Sequence, residues 1–219
     1  MASDLERSFM GKIEITKKVL GICATNCYTV VDIETKEALI IDPADRADVL
    51  IRDWKDKGVT PQAVLLTHGH FDHIGALAGV KKEYPDIKVY AAAAEKEVME
   101  SPALNLSSSF GAAFTAQADI YLEDGTEIEV LGRTCKCLLV PGHTKGGMCY
   151  YFPEEKVVFT GDTLFCYSVG RTDFPTGDAR ALEEAIREKL FTLPDETLVL
   201  PGHDAQTMIG KEKKGNPYF

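Results

Sequence analysis

The 219 residues are 45% hydrophobic and carry a formal net charge of −10, enough apolar material to bury a substantial core in one domain spanning 1–219. The acidic balance excludes nucleic acid or an anionic membrane surface as the main partner. Residues 1–7 show no basic stretch leading into an apolar run and no window approaches about 18 uninterrupted apolar residues, so a cytoplasmic protein without membrane spans, its six cysteines reduced, is expected.

Short strand-like runs come first. Residues 13–19 are weakly apolar, 27–33 and 38–41 are richer in β-formers, and Thr35-Lys36 turns the second run into the third before Asp42-Pro43. The pattern predicts a helix over 45–57, with Val49, Leu50 and Trp54 on its apolar stripe and Gly58 ending it. Residues 63–66 are a fully apolar strand that leads straight into a histidine cluster. A helix over 74–82, a strand at 88–90 and a short helix over 92–99 follow, an alternation that signals α/β layering.

The segment 101–118 is small and uncharged, with Leu104, Leu106, Phe110 and Phe114 as its large apolar groups. It reads as a structural loop or short helices; the alternatives are a cover over a site or a subunit contact that would make a homodimer. Residues 127–130, 134–140, 147–152 and 156–160 then follow as an antiparallel meander, 178–190 as a helix and 197–200 as a last buried strand. Two packed sheets with helices outside is the architecture this order suggests. The tail 211–218 reads as a solvated terminus.

Three of the five histidines fall within six residues, in Thr67-His68-Gly69-His70-Phe71-Asp72-His73, and the other two occupy Pro141-Gly142-His143 and Pro201-Gly202-His203. A single histidine is as readily a surface or satisfied core residue as a ligand, but four potential donors in one short turn are not explained that way. In an extended path His68 and His70 point the same way, whereas Asp72 and His73 enter the next helix and aim elsewhere. One segment can thus serve two ions about 3.5–4 Å apart. His143, Asp162 and His203 each follow a buried strand and can complete the two sets. Two divalent ions against two carboxylates leave positive charge to polarise a carbonyl and acidify water. Cys135 and Cys137 would share a strand face, no cysteine pair has zinc-finger spacing, and Cys166 lacks a dyad partner, so the thiols read as packing groups.

The run from Thr67 to Gly75 resembles the His-x-His-x-Asp-His signature of the metallo-beta-lactamase fold superfamily. The likeness continues through Asn26-Cys27-Tyr28, Ile41-Asp42-Pro43, Pro141-Gly142-His143-Thr144, Gly161-Asp162-Thr163 and Pro201-Gly202-His203. It implies a four-layer αββα sandwich of two mixed sheets. Gly161-Asp162-Thr163-Leu164-Phe165 followed by Gly170-Arg171-Thr172-Asp173 is similar to the glyoxalase II group, the hydroxyacylglutathione hydrolases. That resemblance implies two divalent metal ions, zinc first, with iron or manganese as alternatives. Site one would be His68, His70 and His143, and site two Asp72, His73 and His203, with Asp162 shared. It also implies a bridging hydroxide attacking a thioester such as S-D-lactoylglutathione or a related acyl-thiol, with Asp72 orienting the water or taking its proton.

Two departures from that group matter. The chain ends at Phe219, soon after His203, leaving no room for the added C-terminal helical domain that grips glutathione, and so resembles the short class. Asp42-Pro43-Ala44-Asp45 stands where relatives often carry Asp-Pro-Gly-Gly, and neither Ala44 nor Asp45 adopts positive φ cheaply. Arg171 is the cation singled out for a substrate carboxylate, with an ion pair to Asp173 or Asp178 as the structural alternative. A persulfide dioxygenase using one iron at the positions of His68, His143 and Asp162 is the main rival, and a non-catalytic metal or thiol-metabolite binding protein a further one. Beta-lactam cleavage is disfavoured by its usual association with secretion and a different downstream ligand pattern.

Overall fold

Residues 38–41 show how the layers arise: Leu39 and Ile41 face one core while Ala38 and Ile40 face another, because successive side chains on a strand point to opposite faces. The computed structural model describes residues 7–10 and 12–219; the opening stretch read for a secretory signal lies, but for Arg7, outside them. One sheet holds, in spatial and chain order, β1 (Arg7–Met10), β2 (Ile13–Leu20), β3 (Thr25–Asp32), β4 (Glu37–Ile41), β5 (Thr60–Leu65), β6 (Lys88–Ala92) and β7 (Ile120–Leu122). Its first four strands are antiparallel and its last four parallel.

The meander expected over 127–160 is present as β8 (Glu127–Val130), β9 (Arg133–Leu139), β10 (Met148–Phe152) and β11 (Val157–Gly161), antiparallel throughout. A small hairpin, β12 (Leu164–Phe165) with β13 (Ser168–Val169), stands apart. Strand β14 (Leu198–Pro201) adds parallel to β11, and β15 (Thr207–Met208) closes the second sheet.

The inner faces of the two sheets meet in one core, where Ile15, Tyr28 and Leu65 pack with Tyr150, Phe152 and Phe159. Outside the first sheet lie α1 (Ala47–Asp56), α2 (Phe71–Ile74), α3 (Leu77–Glu83) and α4 (Lys96–Glu100), burying Leu50, Trp54, Ile74, Val80 and Met99. Outside the second lie α5 (Ala179–Ala185), extended by a π turn at Ile186–Leu190, and α6 (Ile209–Gly215), burying Leu182, Ile186, Leu190 and Ile209. These are the four αββα layers that the resemblance implied. Among the described residues no helix is long and apolar enough to cross a membrane.

Three departures from the sequence expectation have a physical reason in the contacts. The helix expected over 74–82 is broken into α2 and α3, because Ala76 N donates to Pro43 O instead of continuing the helical ladder. Positive φ falls on Asp42 (49°) and Arg46 (52°), so the strain of the Asp-Pro-Ala-Asp turn sits on the residues flanking Ala44 and Asp45. The tail is not a solvated terminus: α6 is anchored by fully buried Glu212, which accepts from Thr207 Oγ1 at 2.5 Å, Asn216 Nδ2 at 2.9 Å and Tyr167 N at 3.0 Å. All six cysteines are free thiols, with Cys135 and Cys137 both buried between the sheets.

What positions the site is strand polarity. Parallel β4, β5 and β6 end together and are followed by Asp42, the His68 cluster and Glu95, while β9, β11 and β14 run in one direction and are followed by His143, Asp162 and His203. The open carboxyl ends of such strands are where ligands gather in α/β sheets. Pro201 O ties the two sheets there, accepting from Asn26 Nδ2 at 2.9 Å and Tyr28 Oη at 2.7 Å.

Candidate metal centre

Each Pro-Gly-His turn needs its glycine for a physical reason. Gly142 has φ +135° and a Cβ there would lie 2.5 Å from Leu182 N; a Cβ on Gly202 would overlap Asp162 Oδ1 and lie 2.7 Å from His73 Cε1. The chain can therefore swing both imidazoles against their neighbours only where no side chain intervenes.

The seven expected donors come together in two overlapping groups. In the first, His70 Nδ1 lies 3.1 Å from His68 Nε2 and 2.9 Å from His143 Nε2. In the second, His73 Nε2 lies 3.6 Å from Asp72 Oδ2 and 3.4 Å from Asp162 Oδ1, while His203 Nε2 lies 3.4 Å from Asp72 Oδ2 and 3.3 Å from Asp162 Oδ2. Asp162 Oδ2 also stands 3.6 Å from His143 Nε2, which makes it the carboxylate common to both. Ligands about 2.0–2.1 Å from a tetrahedral ion are spaced about 3.3 Å apart, and these separations bracket that value.

Protons alone do not satisfy this cluster. Thr67 Oγ1 donates to Asp42 Oδ2 at 2.6 Å and so accepts from His68 Nδ1 at 3.2 Å, and His143 Nδ1 donates to Arg171 O at 2.7 Å. In the neutral rings these bonds leave both Nε2 atoms as bare acceptors aimed at His70 Nδ1, which can donate to only one. His73 Nε2 and Asp162 Oδ1 are buried with no hydrogen-bond partner. The donor set fits divalent ions: His68, His70 and His143, then His68, His73 and Asp162, then Asp72, His73 and His203 each form a three-point set.

A family model described as the metallo-beta-lactamase superfamily matches residues 20–203. The chain belongs to the metallo-beta-lactamase superfamily. A probable metallo-hydrolase of Bacillus subtilis, YqgX, is 39% identical over 202 residues, covering 91% of this chain and 94% of its own. Hydroxyacylglutathione hydrolase GloC of Haemophilus influenzae is 35% identical over 200 residues, covering 89% and 92%. Among solved structures, the crystal structure of the BLEG-1 B3 metallo-beta-lactamase has a TM-score of 0.88 at 40% identity, covering 93% of this chain and 98% of that one.

In this member of the superfamily two carboxylates that sequence reasoning missed hold the donors in place. Asp42 accepts from Thr67 N at 2.7 Å and faces His73 Nδ1 at 2.8 Å, fixing that ring so that Nε2 points into the second group. Glu95, fully buried, accepts from Gly69 N at 2.7 Å and Gly146 N at 2.8 Å, and so staples the His68–His70 turn to the turn carrying His143. Both follow buried strands, as His143 and Asp162 do; that placement is the signal that could have found them. Replacing Asp42 by Asn is expected to weaken metal binding about 10- to 100-fold, the usual cost of losing such an outer carboxylate. Competition against a chromophoric chelator measures it, and wild-type affinity in the variant would remove Asp42 from this role.

Charge separates the two groups. Burial holds the His68 and His70 imidazoles down, His70 to about 3, so both are neutral throughout the physiological range. Burial acts the same way on His73 and His203 but is overcome: Asp72, Asp162 and Asp42 hold His73 well above its ordinary value, and hydrogen bonds to Asp162 and Asp72 bring His203 up to about 10. Burial would raise the two carboxyls, yet the charge on His73 holds Asp72 at about 2 and Asp162 well below its ordinary value. In the ion-free chain, protons on His73 and His203 thus stand where a cation would.

An ion entering the second group must displace those protons, whereas His68 and His70 have none to lose. Affinity at the second group is therefore expected to climb as pH rises from 6 toward 10. Zinc titration calorimetry at about pH 7, in buffers of different ionisation enthalpy, should show one equivalent binding with marked proton release and one with little. Equal release for both equivalents would contradict this division.

Arg171 is exposed, pairs with both oxygens of Asp173 at 2.6 Å and stacks 4.1 Å over Phe174. Of the two expectations for it, the ion pair is the one present in the structure. Its backbone carbonyl, not its guanidinium, reaches the site through His143.

Proposed function

We propose that the protein is a binuclear metallohydrolase that cleaves a thioester of the hydroxyacylglutathione type or a related acyl-thiol. The observation that carries this reading is Asp162, whose Oδ1 faces His73 and whose Oδ2 faces both His203 and His143, so that two ions can share one carboxylate. The 35% likeness to GloC supports the choice of thioester. His68, His70 and His143 would hold the first ion, and Asp72, His73 and His203 the second; zinc suits these nitrogen and oxygen donors. Bound there, the ions supply Lewis acidity toward a carbonyl oxygen and lower the pKa of water.

The chain's own groups do the rest. Asp72 Oδ2 accepts from Thr25 Oγ1 at 2.8 Å, which fixes the carboxylate that orients the attacking water and receives its proton. The carbon–sulfur bond breaks as the carbon–oxygen bond to water forms, and the proton leaves with the thiol. Arg171, stacked on Phe174 whose ring lies 5.5 Å from His70, is the cation through which a substrate carboxylate would be held, in exchange for Asp173.

The 40% identity to a B3 metallo-beta-lactamase favours a second reading, cleavage of a beta-lactam ring by the same centre. The experiment determines zinc, iron and manganese per chain and then compares S-D-lactoylglutathione, simple acyl thioesters, glutathione persulfide and a chromogenic beta-lactam on one preparation. Two ions per chain with thioester turnover is the expected result. Inert thioesters with both sites filled, alongside oxygen consumption on the persulfide or opening of the lactam, would overturn it.

A further inference from the structure

The segment 101–118 forms a single 3-10 turn, Ser107–Ser109, inside a loop that is tied across its own base. Asn105 Nδ2 donates to Phe114 O at 2.8 Å, Ser107 Oγ donates to the same carbonyl at 3.1 Å, and Phe114 N donates back to Ser107 Oγ at 3.0 Å. Asn105 O in turn accepts from Phe71 N at 2.8 Å, which fixes the loop to the start of α2, beside the second group of donors. Phe110 stacks on Phe71 at 4.8 Å with the rings 15° apart, yet remains 51% exposed.

Across from this loop the β2–β3 turn presents Ile22, 77% exposed. Ile22, Phe71, Phe110 and Phe114 line a cleft of about 310 Å³ whose wall also includes Asp72. A contiguous apolar opening on a protein surface, unlike a single exposed side chain, marks a ligand-binding groove. The loop's internal hydrogen bonds fix its base, and Phe110 lies at its rim stacked on Phe71.

We propose that this cleft receives an apolar substituent of the thioester, its Asp72 wall placing the reacting carbonyl at the metal centre. The inference rests on the thioester reading and narrows it to substrates with an aliphatic or aromatic group next to the reacting bond. Charge supports that choice: Asp45 and Asp72 are the only ionisable residues in the lining, and no Lys or Arg is among them. The lining thus offers no cation to pair with the carboxylates of a glutathione moiety, while an alkyl or phenyl group gains from burial against three phenylalanines. Either side of the thioester can carry this group, and the two are separated by experiment.

The test uses the metal-loaded full chain and two substrate series, S-acyl-N-acetylcysteamines from acetyl to hexanoyl and S-alkyl thioacetates from ethyl to hexyl. In one series kcat/KM is expected to rise about three- to fourfold per methylene, and Phe110→Ser or Ile22→Ser should flatten that rise. Ile33→Ser, at the end of β3 far from Thr25, is a surface control that should preserve it. Hexanoate should also bind at least about tenfold tighter than acetate by calorimetry, with the preference lost in Phe110→Ser. If no thioester is turned over while the hexanoate preference holds, the thioesterase reading fails and the apolar cleft stands. Turnover indifferent to length in both series, with hexanoate binding no tighter than acetate, overturns the cleft and leaves the thioesterase reading intact.

Discussion

Asp162→Ala is expected to remove nearly all turnover, a loss of at least about 10²–10³-fold in kcat, together with one of the two bound ions. The side chain stands within 3.3–3.6 Å of ring nitrogens on His73, His143 and His203, which come from both groups, so its removal damages both. It also strips His73 and His203 of the charge that holds their protons, and the ion-free variant should titrate these rings at lower pH than the parent. Metal content by mass spectrometry and single-turnover rates check the first expectation, and imidazole proton resonances the second. A variant that keeps two ions per chain and a rate within tenfold of the parent would dismantle the shared-carboxylate centre. His68→Ala should cost comparably, through the first group alone.

Glu95→Ala is expected to lower stability by about 2–5 kcal/mol, because it leaves the Gly69 and Gly146 amides buried without acceptors and opens a cavity. Burial pushes the Glu95 carboxyl up, outweighing the Thr144 side chain, the Gly69 and Gly146 amides and the Lys145 charge that draw it down. Loss of the staple should let the His68–His70 and His143 turns drift apart. The first ion should then be released to a chelator about 10- to 100-fold more readily. Glu95→Gln, which keeps one acceptor and the volume, should restore much of the stability and less of the metal affinity. Thermal unfolding with and without chelator separates the two effects; equal chelator sensitivity in parent and variants would make Glu95 a packing group only.

The parts of this molecule legible in sequence are those written in local pattern. The apolar run at 63–66, the helix around Leu50 and Trp54, and the meander from 127 to 160 each carry a period or a bounding turn, and each is present in the structure. The histidines announce themselves by crowding and by the repeated Pro-Gly-His turn. Asp42 and Glu95 are marked only by following buried strands, a weaker signal than crowded histidines; they reach the centre because β4, β5 and β6 lie parallel and side by side. Strand pairing is a long-range choice, and sequence spacing does not encode which strand ends meet.

The smallest elements were hidden for a different reason. Strands β12, β13 and β15 have two residues each, too few for any alternation to register. Helix α6 contains Lys211, Glu212, Lys213 and Lys214 and reads as polar, but Glu212 is buried by hydrogen bonds and Lys213 donates to Leu193 O at 2.9 Å and Asp195 at 2.7 Å. Propensity and polarity are weak guides where a short segment is held by specific tertiary bonds.

The loop tied across its base by Asn105 and Ser107 is anchored below by Phe71 N and by Phe114 against the core, while Phe110 at its rim stays exposed. Its rim can be rewritten residue by residue, or exchanged wholesale as a cassette, while the imidazoles and carboxylates below keep their coordinates. Changes at that rim would alter what the cleft admits while leaving the metal-binding donors where they are.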